Sequence, residues 1–405
     1  MTSAWYVVRG TVTVNHRLNI EDGDHVNIIL LNGAVLKATD GIYVDSYSSL
    51  SIYGESEANG QLIAKGSSNG AGIGGKKEKG YGSIYIHSGK VSAAGAEWAA
   101  GIGGALNANN GSGLVVVYGG EVTAEGGKYA PGIGGGGCHE EDDDEYGEIG
   151  RLVFYGGTVN ATGGGSGAGI GSGYMAKNRG SIEIHGGVIN AIGAAGIGGG
   201  FRAVNDNVTV TITGGQVYAE GRGTSAGIGG GGTGDDEGNG NKVVITGGTV
   251  TAVSQEHAIG KGGNQWSNHH TSLDLYPLAW VKAGSSEDNA VPVASGDRVS
   301  ACRDSHYVRI EPCTHENATY IQDAETHTGL SQLPAGTCGG TALVCGGHLR
   351  GVRISDAELG DQFRPQRRRR NHAGDGGHSG CQRPAAGMLL PGTGRDGLYG
   401  VADQR

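Results

Sequence analysis

Through most of the first 284 residues the chain repeats one pattern: apolar, any, apolar, any, a glycine pair or its like, then any, valine, any, alanine. Ile84-Tyr85-Ile86-His87 leads through Ser88-Gly89 to Val91 and Ala93. Leu152-Val153-Phe154-Tyr155 leads through Gly156-Gly157 to Val159 and Ala161, and Val243-Val244-Ile245-Thr246 through Gly247-Gly248 to Val250 and Ala252. Alternation with period two marks strands with one buried face, and each glycine pair breaks one strand from the next. The pattern is looser at 28–38 and 50–64, and a degenerate last copy runs through Leu273, Leu275, Val281 and Ala283.

A third element closes each copy. Gly-Ile-Gly-Gly, with variants, is centred on Ile73, Ile102, Ile133, Ile170, Ile197, Ile228 and Ile259, at spacings of 29, 31, 37, 27, 31 and 31 residues. Three short strands per repeat of about thirty residues predict a three-sided coil. Burying one isoleucine gains about 1.5–3 kcal/mol. Three glycines in strand-like positions cost about 0.5–1 kcal/mol each relative to alanine, so one motif barely balances. Stacking aligns the isoleucines and pairs every backbone group between coils, which makes the array stable. The predicted fold is all-β: a right-handed parallel β-helix, a solenoid of about nine coils at ~4.8 Å per coil. It is expected to occupy 1–284, followed by a short Cys/His-containing extension over 285–328 and a poorly structured tail over 329–405.

Composition supports a solenoid over a single globule. Glycine supplies 84 of 405 residues and phenylalanine only 3, too few large side chains for one central core. With 8 prolines and no three-residue period, collagen is excluded. Gly70-Ala71-Gly72-Ile73-Gly74-Gly75 superficially matches a phosphate loop, but no Gly-Lys-Ser/Thr follows and such a loop would not recur seven times. A net charge of −10 argues against nucleic acid as partner. No apolar run reaches the length of a membrane span. Five of the six cysteines follow residue 300, so the repeats do not depend on disulfides.

Gly-Ala-Gly-Ile-Gly-Gly steps, with strands such as Ile212-Thr213-Gly214-Gly215-Gln216-Val217-Tyr218-Ala219, resemble repeat regions of large cell-surface proteins of Gram-positive bacteria. The resemblance covers about residues 5–325. It implies the pectate-lyase-like β-helix class of carbohydrate-binding type, an extracellular or cell-surface location, and a molecule that is monomeric or part of a larger surface protein. No leader precedes Trp5-Tyr6-Val7-Val8. Either the protein is cytoplasmic or the frame opens inside a longer exported one, and the surface-type repeat favours the second.

Outward positions of the first strand carry the candidate site. Tyr53, His87, Tyr118, Tyr155 and His185 follow successive inward pairs, so their rings are expected in one stripe, one per coil. Aromatic faces suit sugar rings, so the expected partner is an extracellular polysaccharide of acidic plant or mucosal type. The rival reading makes the stripe a sheet-stabilising ladder on a structural stalk or adhesin repeat. A polysaccharide lyase or hydrolase is the third reading. Against it, Glu183 and Asp274 stand alone on the first strands, without the carboxylate pair that glycoside hydrolysis uses.

The pattern requires no cofactor. Two acidic loops follow isoleucine corners: 139–145, whose Glu140, Asp142, Asp143 and Asp144 offer oxygens to calcium, and 235–239. Neither loop matches an ordered calcium-loop spacing, and a solvated charge run is the favoured reading. Cys313, His315 and His327 resemble the opening of a zinc ribbon that lacks its Cys-x-x-Cys half. If Leu330-Ser331-Gln332-Leu333-Pro334 is encoded CTG-TCC-CAG-CTG-CCN, reading one base later gives Cys-Pro-Ser-Cys. The segment after 329 has arginine but no lysine, including Arg367–Arg370. Both features point to a frame shift near 329; a genuine basic extension is the alternative.

Overall fold

The computed structural model describes residues 2–312, apart from 56, 110–112, 140–146, 177–178, 204–207, 233–240, 264–270 and 277–278, together with 318–320 and 343–345. The chain divides into two units, residues 1–352 and 353–405. The second lies outside the described residues, as does most of the tail after 329 with its proposed frame shift. Within the first unit the chain forms a parallel β-helix of three sheets, with ten, twelve and nine strands. Successive coils contribute one strand to each sheet. Of the omitted residues, 110–112, 140–146, 177–178, 204–207, 233–240 and 264–270 fall between a third-sheet strand and the next first-sheet strand, while 56 and 277–278 fall between a first-sheet strand and the next second-sheet strand.

The expected columns are present in register. On the first sheet Leu50, Ile84, Val115, Leu152, Ile182 and Val210 lie side by side, with Ile52, Ile86, Val117, Phe154, Ile184 and Ile212 forming a second inward column. All are buried. On the third sheet Ile73, Ile102, Ile133, Ile170, Ile197, Ile228 and Ile259 pair in sequence, each with no exposed surface. Ile42 and Leu18 continue that column toward the N-terminus.

The second sheet carries alanine from Ala38 to Ala252 at one inward position of every coil. The turn from this column to the third sheet is tight: a Cβ on Gly101 would stand 2.8 Å from the Ala93 carbonyl oxygen, so glycine precedes the isoleucine step. The glycine after each isoleucine is equally constrained. Gly134 has φ +136°, and a Cβ there would run into the carbonyl of Gly171 on the next coil.

One core residue has no counterpart in the repeat. Tyr81, at the corner before Ser83–Ile86, is fully buried and donates its hydroxyl to the Ile149 carbonyl at 2.8 Å. The ring occupies space that side chains at Gly113 and Gly150 would fill. Burial pushes its phenol pKa up, so it stays a neutral donor.

The last copy departs from the expected pattern. Val281 and Ala283 do not lie on Val250 and Ala252. Tyr307–Pro312 inserts between Thr249–Val253 and Ala279–Gly284, antiparallel to both. It supplies Val308 and Ile310, both buried, to the inward column that Ala252 and Val250 would otherwise leave open. Val291–Pro292 forms the final edge. The helix Arg298–Asp304 packs against the last isoleucine step, Ile259–Gly260, and buries Cys302. Beyond Pro312 the described residues are two short antiparallel strands, Ala318–Tyr320 and Leu343–Cys345.

Candidate functional site

The first sheet brings all five stripe residues together. Ring centroids lie 4.3 Å apart for Tyr53–His87, 4.9 Å for His87–Tyr118, 5.4 Å for Tyr118–Tyr155 and 5.0 Å for Tyr155–His185. Interplanar angles run from 6° to 16°. Trp5 adds a tilted ring at 5.5 Å from Tyr53. It comes from another outward position of the first coil, reaching across the second, where Ile29 holds the stripe column. This geometry corrects the face-on sugar platform. Parallel rings this close turn their faces toward one another, leaving the ring edges to solvent. Tyr118 and Tyr155 remain 46% and 49% exposed.

The edges are chemically specific. Burial between its neighbours pushes the His87 pKa down, so its imidazole is held neutral. His185 Nδ1 lies 2.8 Å from Thr213 Oγ1, which occupies the same column on the next coil. Beside the column, Arg151 donates from Nε and Nη2 to the two oxygens of Glu183 at 2.8 and 3.0 Å. Ser181 adds a hydrogen bond to the same carboxylate at 3.2 Å. The Arg151 hydrogen bond holds the Glu183 carboxyl below the usual range, so Glu183 is ionised and already engaged.

A second ring cluster escaped the sequence reading. Trp98 stacks on Tyr129 at 4.0 Å, Tyr129 lies 5.7 Å from Tyr174, and Tyr174 lies 6.3 Å from Phe201. Lys128 Nζ sits 4.6 Å above the Tyr129 ring. Trp98 and Tyr129 come four residues before a motif isoleucine, while Tyr174 and Phe201 come four after one. They meet because the stretch after one isoleucine hydrogen-bonds the stretch before the preceding one: Gly137 to Trp98, Tyr174 to Tyr129 and Phe201 to Ser166, each through backbone. These stretches flank the isoleucine steps of the third sheet. The detectable signal was an aromatic at a fixed offset from Gly-Ile-Gly-Gly, on either side of it.

The metal candidates are not brought into view. Glu140, Asp142, Asp143 and Asp144 lie outside the described residues, as do Cys313, His315 and His327. Among the described residues no cluster of three or more His, Cys, Asp or Glu is arranged to hold a metal ion.

A family model described as beta helix repeat matches residues 84–106, 115–137, 155–174, 182–201 and 210–232. Each match begins on or beside a first-sheet strand and ends beyond the isoleucine step of the same coil, so it follows the structural repeat. No curated protein and no solved structure matches the chain.

Proposed function

We propose that this chain is a non-enzymatic polysaccharide-binding β-helix of the cell exterior, with a glycan laid along the first sheet across the edges of Tyr53, His87, Tyr118, Tyr155 and His185. The observation that carries the reading is the unbroken ring column with half-exposed phenols, repeated once per coil. A repeating ligand meets a repeating row of donors and acceptors. Each hydrogen bond is worth about 0.5–1.5 kcal/mol net, so several in series give useful affinity although one does not. The resemblance to Gram-positive surface repeats supports the same location.

The carboxylates favour binding over cleavage. Glu183 and Asp274 share an outward column of the first sheet but are three coil steps apart, with Thr211 and Val244 between. At ~4.8 Å per step that is about 14 Å, beyond the ~5–9.5 Å used by glycosidase pairs. The structural stalk remains a second reading, because the ring faces are already spent on one another.

A glycan array followed by calorimetry on the hits tests the proposal. The double variant Tyr118→Phe/Tyr155→Phe keeps the stack and removes two hydroxyls. Its affinity for the bound glycan should drop about tenfold with melting unchanged, given two lost hydrogen bonds. An array without hits would leave the stalk reading standing, and full affinity in the double variant would overturn the ring column as the binding site. Release of new reducing or unsaturated ends would establish an enzyme instead.

A further inference from the structure

We propose that two copies of this chain join through their first coils, the strand Ser3–Val8 of one pairing antiparallel with the same strand of the other across a two-fold axis. In that coil the inward columns are uncovered. Tyr6 lies on Ile28 and Val12 on Leu36. Ile28 and Leu36 are 5% and 6% exposed, whereas Tyr6 and Val12 are 57% and 40% exposed. Ser3–Val8, Thr11–Val14 and Leu18–Ile20 are also the edge strands of their three sheets. An open strand edge beside apolar side chains is a template for another strand.

The opposite end of the stack selects the partner. There the helix Arg298–Asp304 packs on the last strands of the first and third sheets, and the second sheet closes on Val291–Pro292. Head-to-tail stacking is therefore blocked. A second open end fits, and a two-fold pair closes on itself instead of growing into a fibre.

Pleating fixes the register. Residues opposite one another in an antiparallel pair share a face, so the axis passes through a residue rather than between two. Placed at Trp5, it sets Trp5 against Trp5 outside, and inside it sets Tyr6 against Ala4 of the second copy, large against small. Ser3 then faces Val7. The same rotation exchanges the corners that flank the strand. It brings the exposed Arg9 of each copy over the corner of the other where Thr2 donates two hydrogen bonds to Asp24 and Asp22 is exposed. Opposite charges thus meet at both ends of the strand pair. Trp5 also lies 5.5 Å from Tyr53, so pairing joins the two ring columns on one side of the assembly. Use of the joined column by one long ligand rests on the glycan reading; the dimer does not.

Sedimentation of the full chain, without any glycan, tests the pairing. The chain should run at twice its own mass at micromolar concentration. Trp5→Asp places two carboxylates on the axis and should raise the dissociation constant at least about tenfold. Its circular dichroism shows whether the strands persist. On mild oxidation Trp5→Cys should form a disulfide-linked dimer beyond the background of the parent chain, because opposed Cβ atoms lie ~4.5–5.5 Å apart. Val7→Cys, four residues from its counterpart, should not. A monomeric parent chain, or undiminished pairing in folded Trp5→Asp, would overturn the interface. Linking of Val7→Cys as readily as Trp5→Cys would overturn the axis at Trp5.

Discussion

The ring column on the first sheet and the ring cluster over the third sheet use the same residue types and reach different geometries. In the column, tyrosine and histidine lie within 16° of parallel. In the cluster, angles range from 6° to 69°. The column takes its order from strand register: each ring sits at the same position of successive parallel strands, so backbone hydrogen bonds set both spacing and orientation. The cluster is assembled by stretches flanking the isoleucine steps, and its rings arrive from opposite chain directions. One set of contacts follows from the sheet; the other helps to hold loops onto it.

This contrast can be broken at its common support. Gly134→Ala puts a Cβ against the next coil at a φ that alanine rarely adopts. It should destabilise by about 3 kcal/mol or more in urea unfolding, since strain and a backbone clash add. Loss of less than about 1 kcal/mol would mean that the third sheet relaxes easily, and that the loop cluster is not rigidly based.

Trp98→Ala comes next. Trp98 contacts Tyr129, His139 and Tyr174, and it should cost about 2 kcal/mol, since each aromatic contact adds ~0.5–1.5 kcal/mol beyond burial. The double variant Tyr118→Ala/Tyr155→Ala should cost about 1–2 kcal/mol, at ~0.2–1 kcal/mol for each broken cross-strand pair. A double-mutant cycle should find Tyr118 and Tyr155 non-additive, while Trp98 and Tyr118 add independently. Strong non-additivity between Trp98 and Tyr118 would join the two clusters into one network.

The smallest expected effect is on pH dependence. His87 has a lowered pKa in the folded state because it is buried, so the unfolded chain binds its proton first as pH falls. Stability should therefore be complete above about pH 6.5, the ordinary histidine value, and decline below it toward the folded pKa. Glu183 behaves separately: its folded pKa is lowered, so its contribution is lost only in the acidic carboxylate range. In thermal melts from pH 7.5 to 5.5, His87→Phe should flatten the slope. An unchanged slope would assign it to another histidine.

Sequence revealed the columns because a strand period of two and a coil of about thirty residues constrain each position independently of distant parts of the chain. The seven isoleucines, the alanines and the five stripe residues all fall in register for that reason. Ring orientation was not legible, because period alone says which side a residue faces and not whether its ring lies flat or on edge. Tyr81 was hidden because its partner is the Ile149 carbonyl, two coils away, and the glycines that accommodate its ring look like any others. Tyr307–Pro312 alternates like a further strand, and nothing in that alternation gives its direction. Only tertiary pairing reveals that it runs backward.

The reversed strand has a consequence for behaviour at high concentration. A stack of parallel coils offers open backbone at its end, a template on which other chains can add. Here the second sheet finishes on two residues, Val291–Pro292. Proline has no amide hydrogen to offer, and so short an edge gives an incoming strand little to grip. The short strand outside the reversed one thus leaves the second sheet with a blunt margin, which protects this edge from strand addition.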